Sequence, residues 1–271
     1  MPALQVVLFD LGGTLLHYEQ PPESTFEAIN GRALGAFVHA AILAGARIAD
    51  PELAVSAVAR LAADMDAKAA RAQHASNAAT IIREGLEAVD VVLASGAWQA
   101  ALAAYYASIA EGVRPVAGDA RAVLLELAAQ GRSLGLVCNT VWAPEAHDAD
   151  LQRFRLLDLL PVRLYSSAVG VVKPHPAIYR QALDLFDVAP AEAVFVGDRL
   201  LQDVAGPQKI GMRAVLVASP YRAEVDPEIQ PDARIGTLAE LPALLAAWDR
   251  AIETRLPVAG ATADDSDDGL R

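Results

Sequence analysis

Cysteine is almost missing from this sequence: Cys138 stands alone among 271 residues. An intrachain disulfide is therefore impossible, and a reducing, cytoplasmic setting is the expected home. Positive charge is also in deficit. Asp and Glu number 34 against 22 Lys and Arg, for a formal net charge of −12. Such a surface disfavours non-specific adhesion to nucleic acid or to anionic membranes. It still admits an anionic substrate, because a bound cation reverses the sign locally. Residues 1–10 lack the basic start and long apolar core of a secretory leader. No apolar run suits a membrane span either. The nearest, residues 33–49, carries His39 and Arg47 and reads as a buried or amphipathic helix. What the chain does have is hydrophobic mass, 54% of its residues, ample for a core and for one or two domains.

The first informative stretch is Val6-Val7-Leu8-Phe9, apolar without alternation, as in a parallel strand buried on both faces. It ends in Asp10-Leu11-Gly12-Gly13-Thr14. In an open α/β sheet, ligands bind beyond the carboxyl ends of the strands. Asp10 would sit at that edge, where glycines let a ligand approach the backbone. Taken alone, the stretch reads equally well as a strand ending in a polar turn. Residues 11–20 then form a loop or small hairpin holding His17, Tyr18 and Glu19, and Pro21-Pro22 punctuates the chain.

From about residue 23 to residue 112 the pattern is helical. Val58, Leu61 and Met65 share one face. So do Ile82, Leu86, Val89 and Leu93, and again Trp98, Leu102, Tyr105 and Ile109. With an earlier helix over 26–46, these stripes find cover only against one another, which makes an inserted helical bundle. After Pro115, helices and short apolar strands alternate. Helices are expected at 119–130, 147–157, 176–186 and 200–210, and strands at 133–137, 162–165, 193–196 and 213–217. That alternation indicates a parallel sheet with helices on both faces. Residues 233–235 read as an edge strand. Thr237-x-x-Glu240 has the form of a capping box, a rival to a helix starting at Pro242. The fold class is thus α/β, a Rossmann-like parallel core (1–20 and 114–257) with an α-helical cap (21–113). Residues 258–271, acidic and poor in apolar groups, are expected to be disordered.

Three later segments bring chemistry to strand ends: Cys138-Asn139-Thr140, Gly170-Val171-Val172-Lys173-Pro174, and Gly197-Asp198 through Asp203. A parallel sheet gathers them at one edge with Asp10. Crowded carboxylates raise one another's pKa unless a cation is present. A hard cation such as Mg²⁺ resolves that conflict, and lysine adds a point charge for a phosphate or a nucleophilic carboxylate.

With those residues in this order, the sequence resembles the haloacid dehalogenase-like hydrolase superfamily over about residues 5–217. Asp10-Leu11-Gly12-Gly13-Thr14 is similar to its first motif, Val137-Cys138-Asn139 to its second, Lys173-Pro174 to its third, and Gly197-Asp198 through Asp203 to its fourth. The resemblance implies a Mg²⁺-dependent hydrolase acting on a small phosphorylated molecule, as a monomer or homodimer, with no nucleic-acid or membrane partner. Asp10 would be the nucleophile, forming an aspartyl-phosphate beside Lys173. Asp10, the Gly12 carbonyl and Asp198 would hold the metal, with Asp203 as an outer ligand or as the group that orients Lys173. Thr14, Cys138 and Asn139 would serve the loop and the substrate.

Two positions depart from the family's phosphatase pattern. Gly12 stands where a second aspartate usually protonates the leaving oxygen, and loss of such a group typically costs about 10²–10⁴-fold in rate. Cys138 replaces a serine or threonine, and a thiol is a weaker donor. His17, Glu19 and His175 are candidates to replace the missing acid, or else plain loop residues. Arg71 and Arg83 are candidates to face the crevice from the cap, while His39 and His74 read as structural residues of cap helices. The departures also leave open a binding module that has lost turnover, and a phosphonatase-like or dehalogenase-like hydrolase.

Overall fold

A computed structural model describes residues 3–18, 25–116, 119–219 and 226–254. The chain begins with β1 (Val6–Phe9) and a two-residue β2 (Leu16–His17). Four cap helices follow: α1 (Phe26–Leu43), α2 (Pro51–Ala72), α3 (Ala78–Glu87) and α4 (Ser95–Gly112). The chain returns through β3 (Arg114–Pro115) and α5 (Ala120–Ala129) to β4 (Ser133–Cys138), α6 (Pro144–Arg153) and β5 (Val162–Tyr165). Then come α7 (Ser166–Val169), α8 (Pro176–Phe186), β6 (Ala193–Gly197), a π-helical turn (Leu200–Ala205), α9 (Gly206–Gln208), β7 (Arg213–Val217), β8 (Ala233–Ile235) and α10 (Leu241–Glu253).

The main sheet has six parallel strands in the order β5-β4-β1-β6-β7-β8. Its centre is β1, and both faces of that strand are covered. Val7 and Phe9 belong to one apolar cluster and Val6 and Leu8 to another, as the two-residue period of a strand requires. The chain moves outward from β1 to β4 and β5, then crosses back to lay β6 on the other side of β1. That reversal opens a crevice at the strands' carboxyl ends, beside β1. The register aligns Phe9 with Leu136 and Val196, so Asp10 leaves the sheet level with Val137 and Gly197.

The cap is a real bundle. Ile29, Ala33, Phe37 and Ala41 of α1 lie in one core with Ala101, Tyr105 and Ile109 of α4. Three of its helices start with a side-chain cap that satisfies an otherwise orphaned N–H: Thr25 Oγ1 to Ala28 N at 3.2 Å, Asp50 Oδ1 to Leu53 N at 2.9 Å, and Asn77 Oδ1 to Ala79 N at 2.9 Å. None of the described helices is long and apolar enough to cross a membrane.

Several local readings change. Residues 11–18 make a tight turn, with Gly13 N donating to Leu16 O at 2.8 Å, and β2 also pairs antiparallel with β3, so the strand entering the cap is clamped to the strand leaving it. The helix expected at 147–157 starts three residues earlier, at Pro144, whose fixed φ suits a first turn. It stops at Arg153, two residues before Arg155 takes a left-handed φ of 61°. His74 is not on a cap helix: it follows α2 and bridges Val171. The two rival starts near residue 240 both hold. Glu240 Oε1 accepts from Thr237 N at 2.9 Å around a short 3₁₀ turn, and Pro242 then opens α10. Glu19, the side chain of Arg71 and the expected tail at 258–271 lie outside the described residues.

Candidate active site

The carboxyl end of β1 carries Asp10, fixed by its own N–H to Val196 O at 2.9 Å. Lys173 arrives from the loop between α7 and α8. Its ammonium donates to Asp10 Oδ1 at 2.7 Å and to Asp203 Oδ1 at 2.8 Å, and it lies 4.9 Å from the Phe195 ring centroid. The lysine is 1% exposed and Asp203 0% exposed, so this is a buried ion triad, not a surface pair. Asp203 also takes Arg199 N on its second oxygen at 3.0 Å. With both oxygens engaged, Asp203 favours the orienting role of the two that the sequence leaves open.

The glycines around these acids have distinct jobs. Gly13 has φ +92° and faces Asp198, so a Cβ there would strike the Asp198 carboxylate. Gly197 leaves the space that Asp203 fills. Gly12 does neither: a Cβ added to it would meet Tyr18 Cδ2 alone, at 3.8 Å, an ordinary contact. Asp203 itself lies on the π-helical turn. Pro207 offers no N–H and its ring would clash with the carbonyl of residue 203 in a regular α-helix, which accounts for the wider turn.

Electrostatically the cluster is only partly compensated. Burial, then the neighbouring Asp10 and Asp203, push Asp198 up to about 8. Burial also raises Asp203, with Asp10 adding to it and Lys173 opposing it. For Lys173, burial alone lowers the ammonium, but Asp10 and Asp203 outweigh it and hold the group above its ordinary range. One oxygen each of Asp10, Asp198 and Asp203 lie within 4.8 Å of one another. Hard oxygen donors from Asp10 and Asp198, with the negative charge of Asp203 close behind, fit a Mg²⁺ ion, which would relieve the residual repulsion.

Asn139 does not extend freely into the crevice. Its Nδ2 donates to Lys173 O at 2.9 Å and its Oδ1 accepts from Lys173 N at 2.7 Å, a two-point brace on the lysine backbone. The cap reaches the same loop: Val172 N donates to Gln73 O at 3.2 Å and Ala75 N to Gly170 O at 3.1 Å. Thr14 is buried beneath the β1 loop and is not among the residues lining the cavity, which suits loop-fixing more than substrate contact. Cys138 does line the cavity. Burial, then Asp10, push its thiol up, so it stays protonated and unreactive at neutral pH.

The cavity above Asp10 measures about 360 Å³. Its floor includes Asp10, Gly12, Gly13, Cys138 and Asn139, and an aromatic wall is built from Tyr18, Phe26 and Trp142. A chain of polar groups runs from the cavity lining, which includes Thr140 and His147, to Asp150. Tyr18 Oη donates to Asp150 Oδ2 at 3.1 Å and lies 2.9 Å from His147 Nδ1, while His147 Nε2 lies 2.7 Å from Thr140 Oγ1. With the phenol proton on Asp150, His147 donates through Nδ1 and accepts from Thr140 through Nε2. Burial pushes His147 down to about 4, and burial pushes Asp150 up to about 6 against the opposing Tyr18 bond.

Of the candidates to replace the missing acid, His17 lines the cavity, and burial lowers its imidazole. His175 is a helix cap: its Nδ1 accepts from Ala177 N at 3.2 Å, and it is not a lining residue. Arg83 stacks 4.4 Å from the Trp98 ring centroid inside the cap and does not reach the crevice. His39 is exposed on α1. Phe26, Trp142, His147 and Asp150 were not anticipated as site residues. Trp142 lies three residues beyond the second motif, the one local signal that pointed to it.

A family model described as haloacid dehalogenase-like hydrolase matches residues 4–211. The chain is 40% identical over 132 residues to phosphoserine phosphatase of Thermus thermophilus, covering 47% of this chain and 50% of that one. It is 36% identical over 154 residues to glyceraldehyde 3-phosphate phosphatase of Pyrococcus furiosus, covering 56% and 62% respectively. It thus spans about half to three-fifths of the length of these curated relatives. Among solved structures, the 2-haloacid dehalogenase of Pseudomonas syringae pv. Tomato DC3000 superposes with a TM-score of 0.64 at 27% identity, over 90% of this chain and 99% of that one.

Proposed function

The chain belongs to the haloacid dehalogenase-like hydrolase family, and from that membership we propose that it is a Mg²⁺-dependent phosphatase acting on a small phosphorylated metabolite through Asp10. The observation that carries this reading is the 2.7 Å contact of Lys173 Nζ with Asp10 Oδ1 inside a buried group of three carboxylates. Both sequence relatives named above are phosphatases, which favours phosphoryl transfer over dehalogenation. A reducing cytoplasm suits the lone Cys138.

In this mechanism Lys173 pins one oxygen of Asp10 and leaves the other to attack phosphorus. A bond forms from Asp10 to phosphorus, the bond from phosphorus to the leaving oxygen breaks, and that oxygen departs with the electron pair. Water then opens the aspartyl-phosphate, releasing phosphate and restoring Asp10. Asp10, Asp198 and the Gly12 carbonyl would hold Mg²⁺, which when bound would supply positive charge for the phosphoryl oxygens. Asp203 and Asn139 keep Lys173 in place, one through its ammonium and the other through its backbone. Gly12 has no proton to give, so the first step depends on the leaving group's own stability as an anion.

The test is Mg²⁺-dependent phosphate release across a panel of alkyl, aryl and acyl phosphates, with Asp10→Asn as control. Turnover that survives Asp10→Asn refutes the mechanism. A second reading rests on Gly12 itself: a module that binds Mg²⁺ and phosphate without turnover. Retained phosphate binding, with no release from any substrate, favours that module.

A further inference from the structure

Resting on the phosphatase reading, we propose that the substrate is an aryl phosphate: a phosphate monoester whose leaving group is a flat, uncharged aromatic hydroxyl. Two features of the cavity, which share Tyr18, converge on this class.

The first is the wall. Tyr18 and Trp142 have ring centroids 5.4 Å apart, and Phe26 and Trp142 5.7 Å apart. The rings on the core side are fixed from behind. Tyr18 is held by His147 and Asp150, and Trp142 donates its indole N–H to Tyr105 at 3.2 Å. Phe26 comes from the start of α1, so cap and core each supply part of one slot. Rigid rings on its lining select a planar apolar partner with little entropy lost on binding. A volume of about 360 Å³ lies at the small end for ligand sites. Among the described lining residues, Arg199 is the one lysine or arginine, and it follows Asp198 on the core side. The aromatic wall therefore offers no cation for a carboxylate or a second phosphate on the leaving group.

The second feature is Gly12. The direction its side chain would take opens onto the Tyr18 ring, 3.8 Å from Cδ2. Where the phosphatase pattern has a proton donor for the leaving oxygen, this site has an aromatic edge. An alkoxide cannot leave readily without that proton. A phenol, with a pKa near that of tyrosine at about 10, leaves as the anion. The balanced step is attack by an Asp10 oxygen on phosphorus, cleavage of the phosphorus–oxygen bond, and departure of the aryloxide with the electron pair, which takes its proton from water.

The experiment uses the full chain with Mg²⁺. kcat/KM is measured for phenyl phosphate, ring-substituted phenyl phosphates, acetyl phosphate, serine phosphate and glycerol phosphate. Phenyl phosphate should exceed the two alkyl phosphates by about 10²-fold or more, with rates falling steeply as the phenol's pKa rises. Phe26→Ala should reduce the preference for phenyl over acetyl phosphate about tenfold, the worth of one lost ring contact. Phenylphosphonate, whose P–C bond survives, should quench tryptophan fluorescence more tightly than methylphosphonate, and Trp142→Phe should remove that quench. Alkyl phosphates cleaved as well as phenyl phosphate, or equal quenching by both phosphonates, would overturn the aryl assignment while leaving the phosphatase reading intact. No release from any of the five classes overturns both.

Discussion

On the proposed mechanism, replacing Gly12 with aspartate should strongly raise turnover of alkyl phosphates. The backbone accepts the change: Gly12 is not at a left-handed φ, and its Cβ would meet Tyr18 Cδ2 at 3.8 Å and nothing closer. The new carboxyl would start out against the Tyr18 ring, and an apolar neighbour that displaces water raises a carboxyl pKa, which favours the protonated form that can donate. General-acid catalysis is worth about 10²–10⁴-fold, or about 3–5 kcal/mol off the barrier. That gain should appear in full for serine or glycerol phosphate, whose alkoxide most needs a proton. In kcat/KM, which reads the leaving-group step, it should shrink to about tenfold or less for phenyl phosphate, because a phenolate needs less help, while the same aspartate would also activate water in the shared second step. The assay is phosphate release at saturating Mg²⁺, with thermal melts of both proteins to show that the variant folds. A folded variant that binds Mg²⁺ yet gains less than tenfold on alkyl phosphates refutes the assignment of Gly12 as the missing acid.

The neighbouring glycine should behave in the opposite way. Gly13→Ala forces a side chain into φ +92° and against Asp198, so Mg²⁺ affinity by calorimetry and turnover should both collapse. At His147, the folded pKa of about 4 lies below the ordinary 6.5, so the folded state resists protonation and stability falls as pH drops through that window. Urea melts at pH 7 and pH 4.5 should show wild type losing about 2 kcal/mol more than His147→Gln, and an equal loss in both would refute the shift. Far from the site, Asp249 on α10 accepts from Arg132 Nη2 at 2.5 Å and from Leu4 N at 3.1 Å, tying that helix to the start of β1. Asp249→Ala strands a buried guanidinium and should cost about 3 kcal/mol in a denaturant melt, and KM should remain that of wild type.

Much of this was readable before any coordinates. The run Val6–Phe9 carries its own burial statement, because a strand covered on both faces has no room for polar alternation. The helix Pro176–Phe186 and the strands Val162–Tyr165 and Arg213–Val217 agree with the sequence pattern to the residue. Local periodicity and punctuation by Pro and Gly set those limits. Once helices alternate with strands, a parallel sheet follows, and parallel strands deliver their carboxyl ends to one edge. Asp10, Lys173, Asp198 and Asp203 could therefore be grouped from order alone.

Other features depend on distances between segments remote in sequence, which no local pattern encodes. The sequence shows two adjacent glycines at 12 and 13. The close approach of Asp198 makes the second indispensable and leaves the first open to a side chain. Arg83 is a cation on a cap helix in the sequence, and its stacking on Trp98 removes it from the crevice. Tyr18, Phe26 and Trp142 come from the β2 end, the start of α1 and the loop after β4. Only packing the cap onto the core makes them one wall. The chemistry at Asp10 was written in the order of motifs, because strand direction alone converts order into proximity. The proposed leaving group rests on tertiary structure, because it depends on which side chains the cap helices and the sheet core bring together around the cavity.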